Sequence, residues 1–139
     1  MSKAPRFIHL RTHTEYSLLE GALPVKKLPA MAAAMGQELT IPEIAQSIVL
    51  TRMSMQSTAM PEGERLEVFA RSGATLAIHL AVRNMREIER QLTPFYGPDC
   101  PVVVGYRIGW PDQAILRGTL ADIRAKVRAA KITRTALIM

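Results

Sequence analysis

Four residues near the start of the sequence carry groups that could bind a metal ion. His9, His13, Glu15 and Glu20 supply imidazoles and carboxylates, which are ligands that zinc takes in proteins. Arg11 lies between the two histidines, however, and its positive charge repels a metal. A solvated loop is the alternative, and we predict no metal site here.

A histidine and a cysteine further along are also candidates for chemistry. His79 could act as a general base or a ligand, although a lone histidine on an apolar strand is more typical of a core residue with satisfied hydrogen bonds. Cys100 lies between Asp99 and Pro101, with no nearby His or Lys to lower the pKa of its thiol. We therefore do not expect Cys100 to be a nucleophile.

A third candidate is the polar and aromatic segment that contains Tyr106, Arg107, Trp110 and Asp112. An arginine guanidinium can pair with a carboxylate through two parallel hydrogen bonds. The segment therefore suits an acidic ligand. The alternative is a hinge between two strands, and the residues alone do not decide between these roles.

Strands that alternate with helices position these candidates. The pattern predicts an α/β domain, with helices on a mixed sheet of about five to six strands. Asn84 is a predicted N-cap, Thr119 and Asp122 form a predicted capping box, and Pro94 is expected to begin a loop. We predict strands at 7–10, 47–53, 74–82, 102–106, 115–118 and 135–139, and helices at 29–35, 62–72, 85–92 and 120–130.

Composition limits the classes of function. The chain has 139 residues, a formal net charge of +6 and one cysteine, so no internal disulfide can form. No apolar run reaches the ~20 residues of a membrane helix, and a cytoplasmic protein is expected. The basic cluster at 124–134 has no aromatic partners, so we expect no nucleic-acid binding. Met53, Met55 and Met60 are predicted to be exposed in a loop that could contact a partner protein.

Residues 7–23, FIHLRTHTEYSLLEGAL, resemble the opening of the PHP domain at the front of bacterial DNA polymerase III α subunits of the error-prone type. That family has a His-x-His metal-ligand pair where this sequence has Arg11-Thr12-His13. The resemblance therefore indicates ancestry and not metal-dependent activity. It predicts a PHP-like segment at 1–30, joined to a second unit at 31–139 in a chimera that folds as one body.

The second unit resembles the C-terminal half of the precorrin-4 methyltransferases, tetrapyrrole methylases that act at ring carbon 11. Their fold implies two α/β domains with S-adenosylmethionine in the cleft between them. The glycine-rich loops of the family's N-terminal domain have no match here. The resemblance is carried by MGQELTIPEIAQSIVLTR, PEGERLEVFARSGATLAIHLAVRN, YGPDCPVVVGYRIGWPDQAILRGTLADI and ITRTALIM.

The resemblance implies particular site residues. The stretch TLAIHL places Leu80 beside the cofactor, with His79 just before it, and VVVGYRIGWP places Ile108 at a second cofactor contact. Arg107 and Trp110 are the expected contacts to the tetrapyrrole. A chain with one wall of the cleft is expected to have no turnover alone. The alternatives are partial activity or cofactor binding through a homodimer, and a protein-interaction module without catalysis.

Overall fold

Helices and strands alternate along the chain in the computed structural model, which describes residues 28–53 and 59–139. Short 3-10 turns at Glu62–Glu64 and Val82–Asn84 precede the second and third α-helices. Within the described residues the elements are α1 (Leu28–Ala34), β1 (Ile48–Arg52), α2 (Leu66–Ala70), β2 (Thr75–His79), α3 (Met85–Tyr96), β3 (Pro101–Tyr106), β4 (Ala114–Thr119), α4 (Ile123–Ala129) and β5 (Ala136–Ile138).

The described strands form a five-stranded mixed sheet in the order β1-β2-β5-β3-β4, which confirms the predicted fold class. Strand β1 is parallel to β2, whereas β5 is antiparallel to both β2 and β3. Because β5 runs opposite to both of its neighbours, β2 and β3 are parallel to each other. The carboxyl ends of β1, β2 and β3 therefore lie at the same end of the sheet, which we call the carboxyl edge.

Successive strand residues point to opposite faces of the sheet and bury two apolar clusters. The larger cluster includes Ile78 and Val104 and packs against α2, α3 and α4. The smaller one includes Val103 and Leu137 on the other face and packs against α1 and the residue that follows it, Met35. Of the helices that the structure describes, three thus cover one face of the sheet and one covers the other.

Helix α3 continues through Pro94 to Tyr96, so the predicted loop at Pro94 is wrong. Proline has no N–H to donate to the carbonyl oxygen four residues earlier, so α3 loses one helical hydrogen bond at Pro94, and only two residues of the helix follow it. The Thr93 hydroxyl donates to the Glu89 carbonyl oxygen at 2.6 Å. The Tyr96 hydroxyl donates to the Ala74 carbonyl oxygen at 2.5 Å, which ties the end of α3 to the start of β2.

Two predicted helices are shorter in the structure. Helix α4 begins at Ile123 and not at residue 120, because Thr119 pairs with Pro101 as the last residue of β4. The Asp122 carboxylate accepts a hydrogen bond from the Thr119 N–H at 2.7 Å, as in a capping box, but Thr119 stays in the strand. The helix predicted at 62–72 is interrupted by Arg65, whose backbone is extended.

Parts of the sequence prediction lie outside the described residues. These are the strand at 7–10, the PHP-like segment and the histidines and glutamates considered as metal ligands. Within residues 28–53 and 59–139, no group of three or more His, Cys, Asp or Glu side chains could hold a metal ion. The longest helix over the same ranges has 12 residues, and none of these helices could cross a membrane.

An exposed ion pair on α3 predicts how stability depends on pH. Hydrogen bonds from Arg90 and then Gln91 lower the pKa of Glu87 from its ordinary value of 4.5 to about 2. A carboxylate whose pKa is lower in the folded state stabilises the fold above its unfolded pKa, and that contribution is lost as the pH falls. We expect the free energy of unfolding to decrease as the pH falls from about 4.5 to about 2.

The measurement is urea unfolding at several pH values in this window for the wild type and for Glu87→Gln. The variant cannot lose the proton-linked contribution of Glu87, so its stability should depend less steeply on pH. Because the pair is exposed, added salt should also flatten the wild-type profile. Identical profiles for the two proteins would contradict the assignment of this pH dependence to Glu87.

Candidate functional site

The end of β2 has an unusual backbone. Strand β2 ends at His79, and Leu80 follows with a φ of 56°. A left-handed backbone is rare for residues other than glycine and marks strain that often lies at functional sites. The Leu80 side chain is 47% exposed, although leucine favours the core. The chain therefore holds an apolar side chain in solvent at the carboxyl edge.

Two more left-handed residues lie at the same edge. Arg107 follows β3 with a φ of 47°, and Thr135 precedes β5 with a φ of 53°. The Arg107 N–H donates to the Thr135 carbonyl oxygen at 3.0 Å, so the two turns support each other. Because β5 lies between β2 and β3, the carboxyl edge has strained residues on three adjacent strands. We take this edge as the candidate site.

The loop between β3 and β4 holds the Arg107 side chain in a defined place. The Arg107 Nε lies 3.0 Å from Asp112 Oδ1, and its guanidinium carbon lies 4.4 Å from the centroid of the Trp110 ring. Within the loop the Gln113 side-chain oxygen accepts a hydrogen bond from the Gly109 N–H at 2.9 Å. Arg107 thus contacts two of the other predicted loop residues, Trp110 and Asp112. Trp110 remains 57% exposed, so it can still meet a ligand.

Ile108 packs onto the sheet. Its side chain is half-buried in the cluster that contains Met35 and Val103. A Cβ atom on Gly105 would lie 2.9 Å from Ile108 Cγ1 and 2.3 Å from Met35 Sδ. Ile108 and Met35 therefore use the space that the missing side chain of Gly105 leaves. Ile108 therefore forms part of the apolar layer beneath the candidate site, which we call its floor, and its side chain is only partly exposed.

The two reactive candidates differ in their surroundings. His79 is half-buried at the end of β2, in register with Arg52 of β1 and Leu137 of β5, so its side chain lies on the α1 face of the sheet. Burial raises the pKa of the Cys100 thiol, which keeps it protonated at neutral pH. This agrees with the prediction that Cys100 is not a nucleophile.

The loop after β1 differs from the sequence prediction. Met53 is buried in the larger cluster, so its predicted exposure as part of a partner-binding loop is wrong. Its position directly after β1 continues the alternation of that strand and points it toward the helices. Met60 is half-buried, and Met55 lies outside the described residues.

Comparison with known proteins identifies the fold and the family. Residues 27–124 match the family model of the tetrapyrrole (corrin/porphyrin) methylases. The chain belongs to this family. Among its curated members, the precorrin-4 C(11)-methyltransferase of Sinorhizobium sp is 51% identical over 114 residues, which cover 82% of this chain and 45% of that relative. The enzyme of the same name from Pseudomonas aeruginosa is 50% identical and is covered to 48%.

Solved tetrapyrrole methylases have the same fold. A cobalt precorrin-4 methyltransferase of cobalamin biosynthesis superposes with a TM-score of 0.74 at 35% identity, over 78% of this chain and 46% of that enzyme. A uroporphyrin-III C-methyltransferase from Thermus thermophilus, solved with S-adenosylhomocysteine, superposes with a TM-score of 0.57 at 20% identity, over 78% of this chain and 47% of that one. The second likeness concerns the fold alone.

The chain spans about half the length of the tetrapyrrole methylases that it matches. The match to the Pseudomonas enzyme covers 89% of this chain, so it leaves fewer residues unmatched than the 27 that precede α1. Similarity to the family therefore reaches into the first 27 residues. The PHP-like segment and a boundary near residue 30 stay predictions.

The sequence predicted some residues of the carboxyl edge and missed others. It singled out Leu80, Arg107, Trp110 and Asp112, which the structure places at the carboxyl edge or in the loop beside it. It missed Thr135, because nothing in a threonine predicts a left-handed backbone. The nearest signal was the polar run that precedes the final apolar strand.

Proposed function

We propose that this chain carries the C-terminal half of an S-adenosylmethionine-dependent precorrin-4 C11-methyltransferase of cobalamin biosynthesis, acting in the cytoplasm. The observation that carries the proposal is the pair of left-handed residues, Leu80 and Arg107, at the ends of two parallel strands. In open α/β sheets, ligands bind beyond the carboxyl ends of the strands. Relatives at about 50% identity with this named activity supply the reaction.

The described edge suits part of the cofactor. S-adenosylmethionine supplies an activated methyl group on a sulfonium. Its adenosine portion is flat and partly apolar, and the exposed Leu80 side chain could pack against it. His79 and Ile108 would shape the floor beneath, since both are half-buried on the α1 face of the sheet. These residues offer a binding surface, which fits a reaction that depends on alignment.

Arg107 is the residue that we assign to the tetrapyrrole. Asp112 engages its Nε and Trp110 stacks on its guanidinium, so the side chain is held in place before a ligand arrives. A guanidinium has five N–H donors, and the terminal ones remain available to a substrate carboxylate. Holding the group in advance reduces the entropy lost on binding.

A single wall of the cleft is not expected to give turnover. Methyl transfer to carbon requires the acceptor to be held in line with the methyl group, with water excluded, and such positioning can supply about 7–11 kcal/mol of the barrier. The relatives are about twice as long as this chain, and we propose that their other half forms the opposing wall. Without that wall the cofactor has contacts on one side only.

Nuclear magnetic resonance with S-adenosylhomocysteine tests this assignment. We expect weak binding, in the millimolar range, with backbone shift changes confined to the carboxyl edge around Leu80 and Arg107. Residues at the opposite edge, such as Ala121, should not shift, and no methyl transfer should occur. Shift changes that spare the carboxyl edge would reject it as the cofactor wall. Micromolar binding by a monomer would reject the one-wall proposal, whereas micromolar binding by a dimer would favour two copies that complete the cleft.

A matched pair of variants separates strain from binding. Leu80→Gly relieves the left-handed backbone and removes the exposed side chain, so we expect higher thermal stability and loss of the shift changes. Glu43 also has a left-handed backbone, with a φ of 66°, but lies outside the edge. Glu43→Gly should raise stability in the same way and leave the shift changes intact. Equal effects of the two variants on ligand binding would contradict a role for Leu80.

A further inference from the structure

The loop between α4 and β5, residues 131–135, has a left-handed residue at each end. Lys131 has a φ of 55° and Thr135 a φ of 53°. The Ile132 N–H donates to the Val127 carbonyl oxygen at 3.2 Å and the Lys131 N–H to that of Arg128 at 3.1 Å, which is the Schellman arrangement at a helix end. Glycine is the residue that usually occupies the position of Lys131 in this motif. The fold therefore keeps a charged side chain where glycine would be less strained.

Four cations surround this loop, and we call them the cationic rim: Arg83, Arg128, Lys131 and Arg134. Over the ranges that the structure describes, none of the four makes an ion pair, whereas Arg90, Arg124 and Lys126 on the neighbouring helices each pair with a carboxylate. Arg128 and Lys131 line one shallow depression of about 480 Å³, together with Arg124 and two alanines. The rim is thus a concentration of uncompensated positive charge.

The rim adjoins the candidate site. The Thr135 carbonyl oxygen accepts a hydrogen bond from the Arg107 N–H at 3.0 Å, at the carboxyl edge. Two residues earlier, the Thr133 carbonyl oxygen accepts one from Arg83 Nε at 2.9 Å, and Arg83 itself follows Leu80 by three residues. The loop that carries Lys131 and Arg134 is therefore fastened to both strand ends that form the proposed cofactor wall.

We infer that the cationic rim receives the peripheral carboxylates of a tetrapyrrole as it enters or leaves the carboxyl edge. This inference rests on the proposed function. It assigns contacts with the substrate carboxylates to residues on the α4–β5 loop, in addition to Arg107. The dipole of α4 would by itself favour cations near its end, which accounts for Arg128. It does not account for Arg83, which lies outside the helix, or for a lysine at a glycine position.

Binding of uroporphyrin, an octacarboxylate tetrapyrrole, tests the rim on the chain as it exists. Trp110 is the single tryptophan, so quenching of its fluorescence reports binding, and the variants locate it. We expect Lys131→Gly and Arg134→Gln each to weaken binding by about two- to fivefold, the scale of an exposed charge contact. Affinity should fall with added salt and should be lower for the tetracarboxylate coproporphyrin. Lys131→Gly should at the same time raise the melting temperature, because the strain is relieved.

Arg71→Gln is the matched control, since it removes the same charge at the end of α2, near the start of β2 and so at the opposite edge of the sheet. It should leave uroporphyrin affinity unchanged. The inference that the rim binds tetrapyrrole carboxylates would be overturned if uroporphyrin did not quench the wild type. It would also be overturned if the wild type and the Lys131→Gly and Arg134→Gln variants bound uroporphyrin with equal affinity. S-adenosylhomocysteine shift changes at Leu80 would survive either result, so a failure of the rim is distinguishable from a failure of the proposed function.

Discussion

Replacing Ile88 by alanine is expected to destabilise the protein by about 2–5 kcal/mol, the usual effect of removing a large aliphatic side chain from a packed core. Ile88 lies in the first turn of α3 and is 1% exposed. It belongs to the cluster in which α2, α3 and α4 pack on the sheet. The neighbours are held by strands and by other helices, so they cannot move far enough to fill the cavity.

Urea unfolding followed by circular dichroism measures this change, with Ile44→Ala as the matched control. Ile44 lies in a tight turn before β1 and is 74% exposed, so the same substitution there removes little buried surface. We expect the control to change stability by less than about 0.5 kcal/mol. Similar losses for the two variants would mean that α3 does not pack as described.

The fold was predictable where local pattern and tertiary structure agree. Apolar runs predicted β1, β3, β4 and β5 to within one residue at each end, whereas the strand predicted at 74–82 extends three residues past the end of β2 at His79. The failures occurred where a tertiary contact outweighed a local signal. Pro94 predicted a loop, yet the hydrogen bond from Tyr96 to Ala74 holds the helix end against the sheet. Thr119 predicted a helix start, yet pairing with Pro101 keeps it in β4.

The candidate site was predictable in part. Arg107 and Trp110 were identifiable because an arginine in a polar and aromatic segment suits an acidic ligand. The left-handed backbone of Leu80 was not, because leucine disfavours that conformation and the sequence carries no glycine there. Strain of this kind exists only when the surrounding structure imposes it, so it can be found from coordinates and not from residue types.

The chain spans about half the length of the tetrapyrrole methylases that it matches, and the cofactor surface proposed above lies at the carboxyl edge of its sheet. The strained turns at Leu80, Arg107 and Thr135 lower stability, and each would be relieved by glycine. Backbone strain of this kind often lies at functional sites, which supports the proposal that this edge binds a ligand. A chain kept only for its fold would gain from losing them, which is why the stability and binding of the Leu80→Gly variant must be measured together.

Replacing Gly105 by alanine is expected to destabilise the fold by about 1–3 kcal/mol, as overpacking of a tight core does. The added Cβ would lie 2.3 Å from Met35 Sδ, and Met35 is fully buried between α1 and the sheet. Met35 cannot swing into solvent, so the helix or the strand must move. Because Gly105 precedes Arg107 by two residues, we also expect the variant to weaken S-adenosylhomocysteine shift changes at the carboxyl edge.

Gly118 provides a control, because a Cβ atom there would also approach another side chain closely, but that side chain lies at the surface. A Cβ on Gly118 would lie 2.2 Å from Asp122 Oδ1 and 3.0 Å from Lys126 Nζ, which are the ends of side chains on the solvent side of α4. Those ends can rotate away, which gives up the hydrogen bond from the Thr119 N–H to Asp122, worth about 0.5–1.5 kcal/mol. Alanine also reduces the freedom of the unfolded chain, so Gly118→Ala should destabilise the fold by no more than about 1 kcal/mol. Adding Met35→Ala to Gly105→Ala should remove most of the overpacking, which gives a favourable coupling energy in a double-mutant cycle. Additive losses would show that Met35 does not restrict position 105, and that the close approach of α1 to β3 is not what holds the floor of the site.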